Sequence, residues 1–212
     1  MMLSVSLKST DLAALLCSRI CHDLISPVGA IQNAMELYDE GGADDEVLQL
    51  VRWSVASASA RLQFARLAFG FSGAGGGQID TSSAEQVAQQ YMKEEKAILK
   101  WESSSLLLPK NEVKLLLNLL LVANATVSRG GEIIVMILQE ENKRFFRFEI
   151  CGKTLRIPPH FIALYNGEFS EELIDAHTIQ FYYTILLSEM TDMKINIDET
   201  DDRIILESVK NF

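Results

Sequence analysis

The first third of the chain carries two long stripes of apolar residues at helical spacing. Leu12, Leu16, Ile20, Leu24, Val28, Ile31, Met35 and Tyr38 recur three or four residues apart, which predicts an amphipathic helix. Ser9, Thr10 or Asp11 stands where a side chain can cap the exposed amides at its start. Gly41-Gly42 then suits a C-cap and a tight turn. The acidic start Asp44-Asp45-Glu46 favours a second helix N-terminus. That run continues through Val47, Leu50, Val51, Val55, Leu62 and Ala65 to about Phe71. At about 1.5 Å per residue, each helix is on the order of 40 Å long. Such a hairpin has too little neighbouring chain to cover its apolar surface. It is expected to form a homodimer through a four-helix bundle, with the small-residue stretch "SVASASA" letting helices approach closely.

"SGAGGG", residues 72–77, reads as a linker. It divides a helical hairpin, 1–72, from a second domain, 73–212. It lacks the Lys-Ser/Thr of a phosphate cradle and follows no strand. Beyond it, residues 83–98 read as a helix, and "PKNEVKLLLNLLLVANATV" as another with Pro109 near its start. "GEIIVMILQEENKRFFRFEICG" alternates as a β-hairpin around a polar turn, and "MKINIDETDDRIILESV" closes the chain as a second hairpin. Between the hairpins a short helix near 170–175 and a longer one over 177–189 are expected. Helices followed by strand pairs predict an α+β sandwich rather than a doubly wound parallel sheet.

Composition narrows the function classes. The 212 residues are 48% hydrophobic and carry a net charge of −10. A folded acidic protein follows, and broad nucleic-acid binding, which needs clustered Lys and Arg, does not. Cys17, Cys21 and Cys151 give no disulfide framework. Cys17 and Cys21 are four apart, but no second His or Cys pair stands nearby to complete a zinc site. They read as small buried thiols of a reducing compartment. No run of 18 apolar residues is present, and "MMLSVSLKSTD" lacks the basic start and apolar core of a signal peptide. A cytoplasmic protein with no membrane span is expected. His160, after Pro158-Pro159 in a predicted loop, and His177, near a helix start, have no supporting constellation and read as structural or solvated. Trp53 and Trp101 read as packing residues.

One histidine differs. "RICHDLISP" places His22 beside Asp23 in the middle of the first helix, with Pro27 five residues on. Ile20 and Leu24 lie roughly 200° away around the helix, so His22 faces away from the apolar stripe. Its own face carries Ser18, Arg19, Ser26, Gly29 and Asn33, all polar or small. One helix face cannot assemble a Ser-His-Asp triad. A neutral ring nitrogen can nevertheless attack a phosphoryl group and carry it covalently. Asp23 can fix the tautomer, Arg19 can neutralise phosphoryl oxygens, and Ser26 can donate to them. An exposed helical histidine with an ordinary flanking acid fits the same residues. Pro27 removes a helical hydrogen bond to the Asp23 carbonyl and should kink the helix there; a kink that only fits a bundle is equally consistent.

"SRICHDLISPVGAIQNAMELY" resembles the H-box of sensor histidine kinases, in which an acid follows the phosphorylated histidine and a proline lies five residues after it. The hairpin looks like their dimerisation and phosphotransfer domain. "LLLNLLLVANATVSRGGEIIV" is similar to their N-box helix and following strand, and residues 176–209 to the last helix and hairpin of their ATPase-type domain. The likeness runs from residue 10 onward, and its departures are concentrated at the nucleotide site. Val122 stands where a kinase has a magnesium-binding asparagine four residues after Asn118, and Asn124 is two residues late. The D-x-G-x-G positions are Gly152, Thr154 and Arg156, and the lid is cut to a few residues around "NGEFSEEL". Valine cannot ligate a hard cation, and arginine cannot give the close backbone approach of glycine.

A kinase-like fold without its ATP site resembles the histidine phosphotransferases of bacterial phosphorelays. The resemblance implies a two-component relay in cell-cycle regulation. Phosphoryl would pass from a receiver phosphoaspartate of a hybrid (CckA-like) kinase to His22, then to CtrA-like or CpdR-like response regulators. It implies no ATP, cofactor or metal bound by this chain, with Mg2+ supplied by the receiver. The C-terminal domain is expected to serve partner docking. Two rivals remain: an active ATP-dependent kinase, which predicts nucleotide binding, and a non-catalytic dimeric scaffold, in which His22→Ala is silent.

Overall fold

The computed structural model describes residues 7–41, 45–70, 77–168, 174–200 and 202–212. Residues 72–76 of the glycine linker, Phe71, Gly42, Asp44 and most of the expected 170–175 helix lie outside these residues. Helix α1 (Ser9–Asp39) and helix α2 (Asp45–Ala68) form the antiparallel hairpin. Lys8, rather than Ser9, Thr10 or Asp11, is the N-cap of α1, and no side chain caps it. The helix begins one residue earlier because Lys8 carbonyl accepts from the amides of Asp11 and Leu12. Gly41 follows the C-cap with φ of 93°, a conformation that suits glycine. α1 runs through Pro27 without interruption.

The C-terminal part opens with strand β1 (Gln78–Asp80) and helix α3 (Thr81–Met92), whose N-cap Asp80 accepts from the amide of Ser82. The predicted helix over 83–98 therefore ends six residues early. Ala97–Trp101 is instead strand β2, with Ala97 and Leu99 buried and Ile98 and Lys100 outward. Strand β3 (Leu107–Pro109) pairs antiparallel with β1 in a small ribbon. Helix α4 (Lys110–Thr126) is buried on almost every side by Leu115, Leu116, Leu117, Leu119, Leu120 and their neighbours.

Strands β4 (Gly131–Glu140) and β5 (Lys143–Gly152) form the first predicted hairpin, and β6 (Lys194–Glu199) and β7 (Arg203–Asn211) the second. They join β2 in a five-stranded sheet of order β2-β4-β5-β7-β6. Only the β2–β4 pair is parallel. Register places Ile133 against Ile150 and Val135 against Phe148, with Phe148 against Leu206 and Ile150 against Ile204. All six are buried, so one sheet face packs on the helices. The outer face carries charge pairs such as Arg147 with Glu149 and Glu207.

Helix α5 (Pro159–Tyr165) replaces the loop expected after the prolines, with Pro159 fitting a first helical position. His160 is thus in the first turn of a helix, exposed. Helix α6 (Ile179–Thr191) packs against α4, two residues later than the predicted 177 start because Asp175–Thr178 is a turn. The result is a helical hairpin followed by a two-layer sandwich.

The hairpin is seated on that sandwich. Leu12, Leu15 and Leu16 of α1 pack against the C-terminal core, and Phe64 and Ala68 of α2 are part of it. The Leu7 amide donates to the Tyr182 hydroxyl of α6 at 3.0 Å. Beyond that seat, apolar side chains stay uncovered: Ile25, Val28, Met35 and Tyr38 on α1, and Leu48, Val55 and Leu62 on α2. By length and composition alone α1 could cross a membrane, although it holds no unbroken apolar run. Its middle carries the ion pair of Arg19 and Asp23, a costly group in hydrocarbon.

Candidate functional site: the His22 turn and the α4 motif positions

His22 sits mid-way along α1 with its side chain 59% exposed. Ser18, Ser26 and Asn33 on the same face are exposed, while Gly29 is half-buried and leaves the approach unobstructed. Asp23 divides its carboxylate: Oδ2 accepts from Arg19 Nε at 2.9 Å, and Oδ1 lies 3.6 Å from His22 Nδ1. The Nδ1 edge of the imidazole is therefore turned to the carboxylate, and Nε2 is directed away from it. Arg19 also donates through Nη1 to the carbonyl of His177 at 3.0 Å. Its guanidinium is thus held by Asp23 and by the C-terminal part of the chain.

An open cleft of about 420 Å3 adjoins His22. Asp23, Ser26 and Pro27 line one side; Trp53, Ser54, Ser57 and Arg61 of α2 line the other. Ser54, Ser57 and Arg61 recur at helical steps, so the small-residue stretch forms the cleft wall. Trp53 is 63% exposed there, not packed in the core, because its position on α2 faces the cleft mouth. Trp101 does pack, partly buried, against the core. Arg61 extends over the Tyr91 ring, 5.6 Å from its centroid, and pairs with Glu95 at 3.4 Å. Burial, with the nearby Glu95 charge, pushes the Tyr91 hydroxyl up to about 12, so it stays protonated.

His177 was expected to stand alone. Its ring instead meets the His22 ring edge-on, with centroids 4.6 Å apart and planes at 82°. The turn that carries it is tightly bonded: Asp175 Oδ1 accepts from the amides of His177 and Thr178, both at 2.8 Å. Burial alone would raise the Asp175 carboxyl, but the bonds from Thr178 and His177 outweigh it and hold the group below its ordinary value. No local pattern could have revealed the His22–His177 contact, since the partners come from distant elements. Cys17 and Cys21 are exposed on α1, and Cys151 is half-buried. The two α1 thiols were expected inside; they lie on a helix face that the single chain leaves uncovered. Among the described residues no group of His, Cys, Asp and Glu could hold a metal ion.

The residues at the positions of a kinase's nucleotide motifs make contacts within the fold. Asn118 is fully buried, and its amide nitrogen donates to the Ala68 carbonyl of α2 and to the Lys114 carbonyl. Val122 is buried, and its carbonyl accepts from the Thr126 hydroxyl. Asn124 donates to Glu95 at 2.9 Å, tying α4 to the segment after α3. The Arg156 amide donates to the Thr126 carbonyl at 2.9 Å, fastening the former glycine-loop segment onto the end of α4. A side-chain carbon at Gly152 would meet Val127 at 2.9 Å, so that glycine serves internal packing.

The comparisons with known proteins agree on one family. The model of the histidine phosphotransferase C-terminal domain matches residues 81–203. Protein phosphotransferase ChpT of Brucella abortus (strain 2308) is 50% identical over 98% of this chain and 100% of its own length. A solved bacterial phosphotransferase, 49% identical, superposes over 98% of this chain and 100% of its own with a TM-score of 0.91. The histidine kinase domain of a blue-light activated kinase from Erythrobacter litoralis shows a looser likeness, 12% identical over 94% of this chain and 92% of its own, with a TM-score of 0.48. Whole-length identity at this level, with the fold and both ends of the chain matched, carries the activity class as well as the architecture. The chain belongs to the histidine phosphotransferase family and is a protein phosphotransferase.

Proposed function

We propose that His22 is the phosphoryl carrier of a phosphorelay. The observation that carries this reading is an exposed imidazole, its Nδ1 edge turned to Asp23, beside an open cleft whose lining includes Ser26, Ser54 and Ser57. A receiver domain docks over α1 and α2 with its phosphoaspartate facing His22 and its own Mg2+ in place. The Nε2 lone pair forms the N–P bond as the P–O bond to the aspartyl carboxylate breaks. The carboxylate leaves with the electron pair. Positive charge develops on the ring and is offset by Asp23, 3.6 Å from Nδ1. In the second half-reaction an aspartate oxygen of a response regulator attacks the phosphorus, and the electron pair returns to Nε2. Arg19 keeps the Asp23 carboxylate in place, and Ser26, exposed one turn on, is within the same face to donate to phosphoryl oxygens. The receiver of a CckA-like hybrid kinase is the donor, and CtrA-like and CpdR-like regulators are the acceptors.

The exposed apolar stripes of α1 and α2 support a homodimeric four-helix bundle, since patches this long are rarely left in water. Cys17 and Cys21 lie on that face. Relay without ATP binding is supported by Asn118 and Val122 being used in packing, and the protein works in the cytoplasm, where such receivers are found. The test is to mix full-length protein with a receiver carrying labelled phosphate and compare wild type with His22→Ala. Base-stable, acid-labile label on wild type alone is expected of a phosphohistidine. Label appearing from ATP without a receiver would restore the kinase reading, and no label from several donors would leave a scaffold.

A further inference from the structure

We infer that His177 is a positioning residue for phosphotransfer, so that the C-terminal domain supplies part of the site rather than a docking surface alone. This inference rests on the relay reading of His22. The contacts form a closed circuit across the two parts of the chain. His22 Nδ1 faces Asp23 Oδ1 at 3.6 Å, Asp23 Oδ2 accepts from Arg19 Nε at 2.9 Å, Arg19 Nη1 donates to the His177 carbonyl at 3.0 Å, and the His177 ring returns to the His22 ring at 4.6 Å. Each of the three α1 residues is thereby referred to one fixed point on the α6 side.

That point is rigid for reasons visible in the structure. Asp175 accepts from two successive amides and from the Thr178 hydroxyl, while its own amide donates to Thr178 Oγ1 at 2.9 Å. The turn runs directly into the buried first turn of α6, where Ile179 is fully buried. α1 in turn is docked on α6 through its leucines and the Leu7–Tyr182 bond. A rotation of the imidazole about its side-chain bonds must break the ring contact, and a shift of the whole turn must break the Arg19 bond.

An unbraced imidazole on a helix surface samples several rotamers, and only one of them points Nε2 at an incoming phosphorus. Holding that rotamer before the receiver arrives removes an ordering step from the transfer. His177 does this with its ring, through the edge contact, and with its backbone, through Arg19. The two routes are separable, because substitution of the side chain leaves the carbonyl in place. The exposed position of His177 also means that the ring can be removed without opening a hole in the core.

The experiment uses the full-length protein, a phosphorylated receiver in varied concentration, and rapid-quench measurement of label on His22. His177→Ala is expected to lower the maximal transfer rate about five- to tenfold, the effect of freeing one side chain and loosening its aim. The receiver concentration for half-maximal rate should stay the same, and so should the melting temperature. His177→Phe, which keeps a flat ring at the contact, should recover most of the rate. An unchanged maximal rate in His177→Ala, a change in half-saturation alone, a faster reaction, or His177→Phe as slow as alanine would each overturn the inference. Failure of the relay reading looks different: wild type itself would take no label, or His22→Ala would keep it.

Discussion

Phe64 is one of the side chains through which the hairpin is seated on the sandwich, and its truncation tests that seat directly. The residue is 2% exposed on α2, and its ring lies 4.4 Å from the Tyr91 ring of α3 with planes at 33°. The void beside it, between Ile20, Leu24, Tyr91 and Leu121, measures only about 10 Å3, too little to absorb a rearranged neighbour. Phe64→Ala should cost about 3–5 kcal/mol, which threatens a fold of ordinary stability. Phe64→Leu is the better probe. It loses about 1 kcal/mol of apolar burial and about 1 kcal/mol from the aromatic pair, close to 2 kcal/mol together. With a urea slope of about 2 kcal/mol per molar, the midpoint falls by about 1 M. The same variant should slow phosphotransfer, because a loosened α2 carries α1 away from His177, although Phe64 touches neither histidine. A midpoint shift under about 0.2 M with an undiminished transfer rate would show that the hairpin is not held this way.

Three further outcomes follow from particular contacts. Trp53→Ala should leave unfolding within about 0.5 kcal/mol, since the side chain is largely in solvent, yet raise the half-saturating receiver concentration by about tenfold or more; surface plasmon resonance against a receiver checks it. Gly131→Ala places a carbon 2.2 Å from the Cys151 carbonyl oxygen and 2.7 Å from Val127, so the β4–β5 ladder must shift, and urea unfolding should show a loss of about 1–3 kcal/mol. Asp175 has a folded pKa below its unfolded value of 3.8. Its contribution is therefore complete above that value and disappears as pH falls through the lowered one. Melting curves of wild type and Asp175→Asn should differ by a constant amount from about pH 7 to about pH 5, draw together only as pH falls below 3.8, and converge below the lowered folded value. A gap that persists in acid would mean that the carboxylate form is not what the Thr178 and His177 bonds select.

Asn118 shows what a motif position of the kinase resemblance does within this fold. In the kinase resemblance this position leads the magnesium-binding motif. Here the amide spans from α4 to the last turn of α2 and holds the hairpin's end against the buried helix. Its Oδ1 is buried without a hydrogen-bond partner among the described residues. Asn118 thus ties α4 to the end of α2, and the neighbouring Val122 is a buried core side chain.

The sequence by itself determined the elements whose stabilising pattern is local. The apolar stripes of α1 and α2 repeat over many turns, and the β4–β5 and β6–β7 hairpins pair neighbours across short turns, so each could be read without knowing the rest. The exposed placement of His22 on α1 was legible for the same reason, because a helix face is set by spacing, whereas its carrier role was suggested only by the family resemblance. The tertiary structure decided what depends on remote partners. Residues 97–101 are a strand only because β4 lies parallel beside them, and the seven residues from Pro159 to Tyr165 become α5 only because Phe161 and Leu164 are buried against the core. The same holds for His177. Nothing near it in the chain marks it, and Arg19 reaches its carbonyl across a separation of 158 residues. A contact of that kind is created by the docking of α1 on α6, which is a property of the packed molecule and not of any segment in it.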